Sequence, residues 1–188
     1  MKEALRWLAV LTLLAATGCA RDKTRLPPPA DPGLAAPDDA LPGTQPLFII
    51  ERSKNANTVH YDARLTADGN LDPQEPVIAY YIMLAEDGRR KELSLIEKAM
   101  AYGFAIRPDP SVSGYAMTMV AAPGRSITVK KVGRTVRAEL IIDGRPAVLE
   151  KMYINASDGP ILPVVHFIEL YGKDPRTGEP RYEKVLPQ

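Results

Sequence analysis

The chain has 188 residues, 45% apolar and 25% charged, a balance that permits a packed core and excludes a wholly disordered chain. Its 24 basic and 23 acidic residues leave a formal net charge of +1, so there is no bulk electrostatic pull toward nucleic acid. The only cysteine is Cys19, which excludes an intramolecular disulfide and leaves the fold to be held by its own core.

The chain opens on a basic start, Lys2 and Arg6, followed by a short apolar run from Trp7 to Thr17. Ala16-Thr17-Gly18-Cys19 closes the run with small residues before the cysteine. The run is well short of the roughly 20 residues a spanning helix needs, so residues 1–18 read as a cleaved secretion signal. The segment resembles a bacterial lipoprotein signal, with Cys19 as the lipid-bearing first residue of the mature chain. Ala16 departs from the leucine usual at that place. Ala20, and not an aspartate, follows Cys19, so the resemblance implies an outer-membrane lipoprotein facing the periplasm. Removing Lys2, Arg6 and Glu3 with the signal brings the mature chain to zero net charge.

Residues 19–46 shift abruptly to proline, alanine and aspartate, with almost no large apolar side chains. Such a segment cannot bury enough surface to offset its ordering entropy, and its prolines stiffen it toward an extended coil. It reads as a tether with a ceiling of roughly 80 Å at about 3.1 Å per residue.

Residues 47–188 are the size of one domain and show no internal repeat. Leu47 to Ile50 reads as a first strand, Ser53 to Asn57 as a polar turn and Thr58 to Leu65 as the hairpin partner. Asp68-Gly69-Asn70 and Asp72-Pro73 mark a loop, because Gly and Asn accept positive φ and Pro ends a ladder. Val77 to Leu84 is apolar throughout, as a strand covered on both faces would be, and is expected at the centre of the sheet.

After the Glu86-Asp87-Gly88 turn, Ser94 and Glu97 have the spacing of a capping box, which predicts a short helix of about two turns. Ile96, Ala99 and Met100 are expected to face the core and Gly103 to stop the helix. Further strands follow at Tyr115 to Ala121, Ser126 to Lys131 and Thr135 to Ile142. In the last of these Val136, Ala138, Leu140 and Ile142 alternate inward. Asp143-Gly144 is a tight hairpin signal into Ala147 to Ile154. Ser157-Asp158-Gly159-Pro160 turns the chain again, Val164 to Tyr171 makes another strand, and the Asp174 to Pro180 loop leads to a short tail. About eight strands and one helix predict a mainly β domain, α+β by strict count, built as an antiparallel sandwich or open barrel.

Three groups of residues carry a family resemblance. They are the run from Phe48 through Thr58-Val59 to Tyr61, the Pro76-Val77 strand with its tyrosines, and Glu92-Leu93-Ser94 to Ala101-Tyr102-Gly103. With Lys173 to Gly178 and Glu183-Lys184, they are similar to an uncharacterised bacterial family, domain of unknown function 4833. The resemblance spans most of residues 47–187 and implies a shared fold; it implies no activity.

The polar run Arg52, Ser53, Asn55, Asn57, His60, Tyr61, Asp62 is the best candidate site. Asn amides and an Arg fork can fix a planar polar ligand, and Arg52, Ser53, Asn55, Asn57, Tyr61 and Tyr102 are the candidate ligand-binding residues. Tight-turn chemistry explains the same asparagines without a ligand. Ser53 lies in no nucleophile elbow, neither His60 nor His166 has a base motif beside it, and no catalytic residue is assigned. His166 shares parity with Val164, Ile168 and Leu170, which predicts a core position.

Asp68, Asn70 and Asp72 copy the opening of a calcium loop, but Pro73 stands where that loop needs Gly, so no metal or cofactor is expected. The basic residues Arg125, Lys130, Lys131, Arg134, Arg137 and Arg145 have no interleaved aromatics and read as a solvated strand face. The reading that results is an envelope-anchored module binding a small molecule or an envelope protein, attached to the membrane by lipid on Cys19. An enzyme using the Arg52 to Asp62 run, with Tyr80, Tyr81 or Tyr102, and a purely structural lipoprotein are the alternatives.

Overall fold

The computed structural model describes residues 41–52, 55–157 and 164–186. Cys19, Ser53 and the Asp158-Gly159-Pro160 turn lie outside them, as do the side chains of Asn55 and Met100.

The first two strands, β1 (Thr44–Arg52) and β2 (Asn55–Arg64), form the expected hairpin, with Phe48 opposite Tyr61 and Ile50 opposite Val59. β3 (Val77–Ile82) pairs with β2 and, over only three positions, with β4 (Arg90–Glu92). A short helical segment crosses next, α1 (Leu95–Glu97) running into a π turn at Lys98–Tyr102. The rest is a meander of β5 (Phe104–Asp109), β6 (Gly114–Met119), β7 (Ala122–Val132), β8 (Thr135–Ile142) and β9 (Arg145–Ser157). β10 (Val164–Lys173) and β11 (Pro180–Val185) complete it.

All the strands join one curled, open sheet in the order β4-β3-β2-β1-β9-β8-β7-β6-β5, with β10 and β11 branching from β9. The half-barrel is the open-barrel alternative, and among the described residues there is no second sheet to make a sandwich. Each pairing is antiparallel except β1 with β9, where Ile49 to Arg52 lie parallel to Lys151 to Ile154. That junction joins the N-terminal hairpins to the meander.

Alternation fills the concave face. Val136, Ala138, Leu140 and Ile142 are all buried as their spacing predicts, together with Phe48, Tyr61, Met117, Ile127, Leu149, Met152 and Leu170. Asp143 and Gly144 both take positive φ, 48° and 73°, as a two-residue hairpin turn of matching twist requires.

Several expectations are corrected. β3 is the penultimate strand and not the central one. Both its faces are covered, but Leu41 from the lead-in packs on the outer one, against Ile78, Tyr80 and Ile82. The capping box forms and Gly103 ends the helical segment, yet Ile96 is 70% exposed and Ala99 is exposed. The segment spans a gap in the sheet, and Leu93 and Tyr102, at its two ends, are buried.

Phe104–Asp109, unassigned from sequence, is a strand, and the supposed tail contains β11. The register slips between Val165 and Phe167, which makes His166 the extra residue of a bulge. It is exposed, with Nε2 2.9 Å from the Ser157 hydroxyl, and takes no part in the core.

Candidate functional site

The sheet does not close because its two edge strands, β4 and β5, do not pair with each other. Between them lies a cleft of about 580 Å³, within the roughly 300–1,000 Å³ usual for ligand sites. Val77, Ile78 and Ala79 of β3 form one wall, and Gly103, Phe104 and Ala105 form the other. Leu93 and Tyr102, the two ends of the crossing segment, also line it, with Leu41 and Val120 adding apolar surface. Arg64, Glu75, Arg90, Glu92 and Lys98 supply charge, of which Arg64 and Glu75 pair with each other.

The wall around Tyr102 is rigidly backed. Tyr61, fully buried, stacks on Phe48 at 4.6 Å between ring centroids and donates its hydroxyl to the Tyr102 carbonyl at 2.7 Å. Burial, with Tyr102 and Tyr81 nearby, holds the Tyr61 hydroxyl well above its ordinary pKa, so it is a hydrogen-bond donor and not a base. Tyr81 meets the Tyr102 ring edge-on at 5.6 Å. Burial and Tyr102 raise its pKa, with a further contribution from Glu97.

Partial burial works against the Glu97 carboxylate, but the Ser94 hydroxyl and N–H and the Tyr81 hydroxyl outweigh it and keep its pKa low. The carboxylate that caps the helix therefore also ties it to the sheet.

Tyr61 and Tyr102 thus come together at the cleft, whereas the other candidates lie elsewhere. Arg52 ends β1 at the far end of the hairpin, and its Nε is buried without a hydrogen-bond partner among the described residues. The Asn57 side chain accepts the Ala85 N–H at 2.9 Å and so pins the β3–β4 loop. The opposite, outer face of β2 carries Thr58, His60 and Asp62.

Asp62 is 2% exposed and accepts the Tyr80 hydroxyl at 2.7 Å and the Thr44 hydroxyl at 3.4 Å. His60 stacks on the Tyr80 ring at 5.6 Å, and Arg90 caps that ring at 4.0 Å. Burial pushes the Asp62 carboxyl above its usual value, only partly offset by Tyr80, His60, Thr44 and Arg90. A carboxyl whose folded pKa is raised stabilises the fold while protonated and loses that contribution as pH rises through the folded value. Asp62→Asn keeps an acceptor for Tyr80, so the Tm of the native chain is expected to fall relative to the variant as pH rises above 3.8. Thermal melts across roughly pH 4 to 8 test this, and parallel profiles would assign the titration to another group.

The basic run is largely consumed by structure. Arg125 pairs with Glu183, Lys130 with Glu139 at 2.8 Å, Lys131 with the Asn70 amide at 3.0 Å, and Arg137 donates to the Pro175 carbonyl at 3.3 Å. Asp72 accepts the Gln74 N–H at 2.9 Å, the contact of an ordinary turn.

Most of the cleft was missed from sequence because it is made by strand edges, which have no side-chain periodicity. One signal was present: Pro108 lies inside β5, and a proline within a strand marks an edge.

The molecule is therefore an open β half-barrel with a cleft of mixed polarity in its seam, bridged by one capped helical turn. The chain belongs to the family described as Domain of unknown function (DUF4833), whose model matches residues 48–184. No curated protein and no solved structure matches it.

Proposed function

We propose that the protein is a lipoprotein of the bacterial cell envelope whose half-barrel is a binding module, held at the outer membrane by lipid on Cys19 and taking its ligand in the seam cleft. The binding reading is carried by the cleft. It is concave, lined in nearly equal measure by apolar and polar surface, and its rim carries charged groups that can orient a ligand. Tyr102 and Phe104 form a wall that is already packed before any ligand arrives, which lowers the ordering cost of binding. Of the residues expected to bind, Tyr102 contacts the ligand and Tyr61 supports it from behind.

The anchor rests on Lys2 to Cys19, and its test is phase partitioning. The full chain is expected in the detergent phase, and Cys19→Ser is expected to move it to the aqueous phase or leave it uncleaved. Detergent partitioning unaffected by that substitution would sink the anchor. For the cleft, native mass spectrometry of the full chain purified from its envelope is expected to show a retained molecule. Ala105→Trp, which fills the mouth from an exposed position, is expected to release it. Equal retention in both chains would place the ligand elsewhere.

A further inference from the structure

We propose that the seam accepts an extended segment of a partner protein, which adds as a strand between β3 and β5. This deepens the binding reading and rests on the cleft being the site.

The backbone directions carry the inference. In an antiparallel ladder, hydrogen-bonded and non-hydrogen-bonded residue pairs alternate. The Arg64 N–H donates to the Pro76 carbonyl at 3.0 Å, which makes Ile78 and Tyr80 the next residues to bond β2. Val77 and Ala79 therefore turn their N–H and C=O groups to the other side. The β4 pairing on that side runs to Tyr80 opposite Glu92, which sets Ala79 against Leu93 and leaves Val77 as the open residue before the chain leaves the sheet at the Ser94 cap.

The same argument holds across the cleft. The Val120 N–H donates to the Gly103 carbonyl at 2.9 Å, so Ala105 and Arg107 bond β6, while Phe104 and Ile106 point their backbone groups outward. Val77 on one side and Phe104 and Ile106 on the other thus offer backbone groups to one cleft. On β5 the open edge ends at Pro108, which has no N–H to offer and confines pairing to the cleft end of the strand.

An occupant that satisfies these groups must itself supply alternating N–H and C=O groups, which is what an extended peptide does. Its inward side chains meet Leu93, Tyr102 and Phe104 and must be small and apolar. Its outward side chains meet the rim, where three cations, Arg64, Arg90 and Lys98, face two carboxylates, Glu75 and Glu92. Glu75 is already paired with Arg64, so the remaining excess is positive and favours an acidic residue on the outward side. Leu41 lines the mouth, and the anchor proposed at Cys19 would keep this cleft at the envelope. The partner is accordingly an envelope protein offering a loose terminus or loop with apolar and polar residues in alternation.

The test selects random displayed decapeptides on the full chain, using Ala105→Trp as counter-selection. Enriched peptides are expected to alternate apolar and polar residues with an acidic one among the latter, and to slow amide exchange at Val77, Phe104 and Ile106 at least tenfold. N-methylation at every second residue is expected to weaken binding at least tenfold for one parity and leave the other unchanged. Enrichment of nothing, or indifference to N-methylation at both parities, would overturn strand addition. A small molecule found by native mass spectrometry would still stand in that case, so the two readings fail separately. If Val77 and Phe104 are already protected in the full chain and deleting residues 20–40 exposes them, the occupant is the chain's own tether and the partner strand is refuted. Protection that scales with protein concentration would assign the edge to a second copy and refute it likewise.

Discussion

Tyr61→Ala is expected to lower the unfolding free energy by about 3–5 kcal/mol, the cost of deleting a large buried aromatic that cannot be refilled. Tyr61 is fully buried, stacked on Phe48 and edge-on to Phe104 at 6.0 Å, so the ring joins β1, β2 and β5 in one contact set. Two of those strands lie on opposite sides of the seam. Truncation therefore loosens the cleft as well as the core. Tyr61→Phe separates the two roles. It keeps the ring but leaves the Tyr102 carbonyl without its donor, for a smaller cost of about 1–2 kcal/mol. Urea unfolding of both variants checks the ranking; equal losses would mean that the hydroxyl, and not the ring, holds the site.

Gly103→Ala is the second large effect, and its cause is collision. Gly103 has φ −73° and ψ 162°, ordinary extended backbone open to any residue. A Cβ there would lie 1.7 Å from the Lys98 carbonyl oxygen. That oxygen belongs to the backbone of the helical segment and cannot rotate aside, so the segment itself must move. A cost at the upper end of the roughly 1–3 kcal/mol seen for overpacking is expected. Because Gly103 and Lys98 both line the cleft, loss of the retained ligand should accompany it. Gly124→Ala is the control. A Cβ there meets nothing within 4 Å, and the substitution is expected to be neutral or to stabilise by about 0.4–1 kcal/mol. Thermal melts of the two variants side by side check the contrast.

Four local features form as their neighbours along the chain dictate. The inward alternation of β8, the Asp143-Gly144 turn, the Ser94 to Glu97 capping box and the stop at Gly103 each depend on residues within one turn or one strand. His166 shows the limit of such reading. Its parity with Leu170 held only until the bulge inserted a residue, and a bulge is set by the partner strand.

The helix shows the same limit from another side. Ile96 and Ala99 have core spacing, but the segment spans an opening, and no surface faces them there. For the candidate site, Tyr61 and Tyr102 were singled out by residue type, while Asn57 proved to pin a loop.

The single cysteine behind a signal-like start, the proline-rich lead-in, the family and the mainly β character are all legible along the chain, because each is a property of composition or of neighbouring residues. Only the tertiary structure decided that β3 stands next to an edge, that β1 runs parallel to β9 and that the sheet stays open between β4 and β5. Strand order and closure depend on which distant backbone groups find each other. Side-chain periodicity records which face of a strand is buried, but it carries no record of which strand lies beside it.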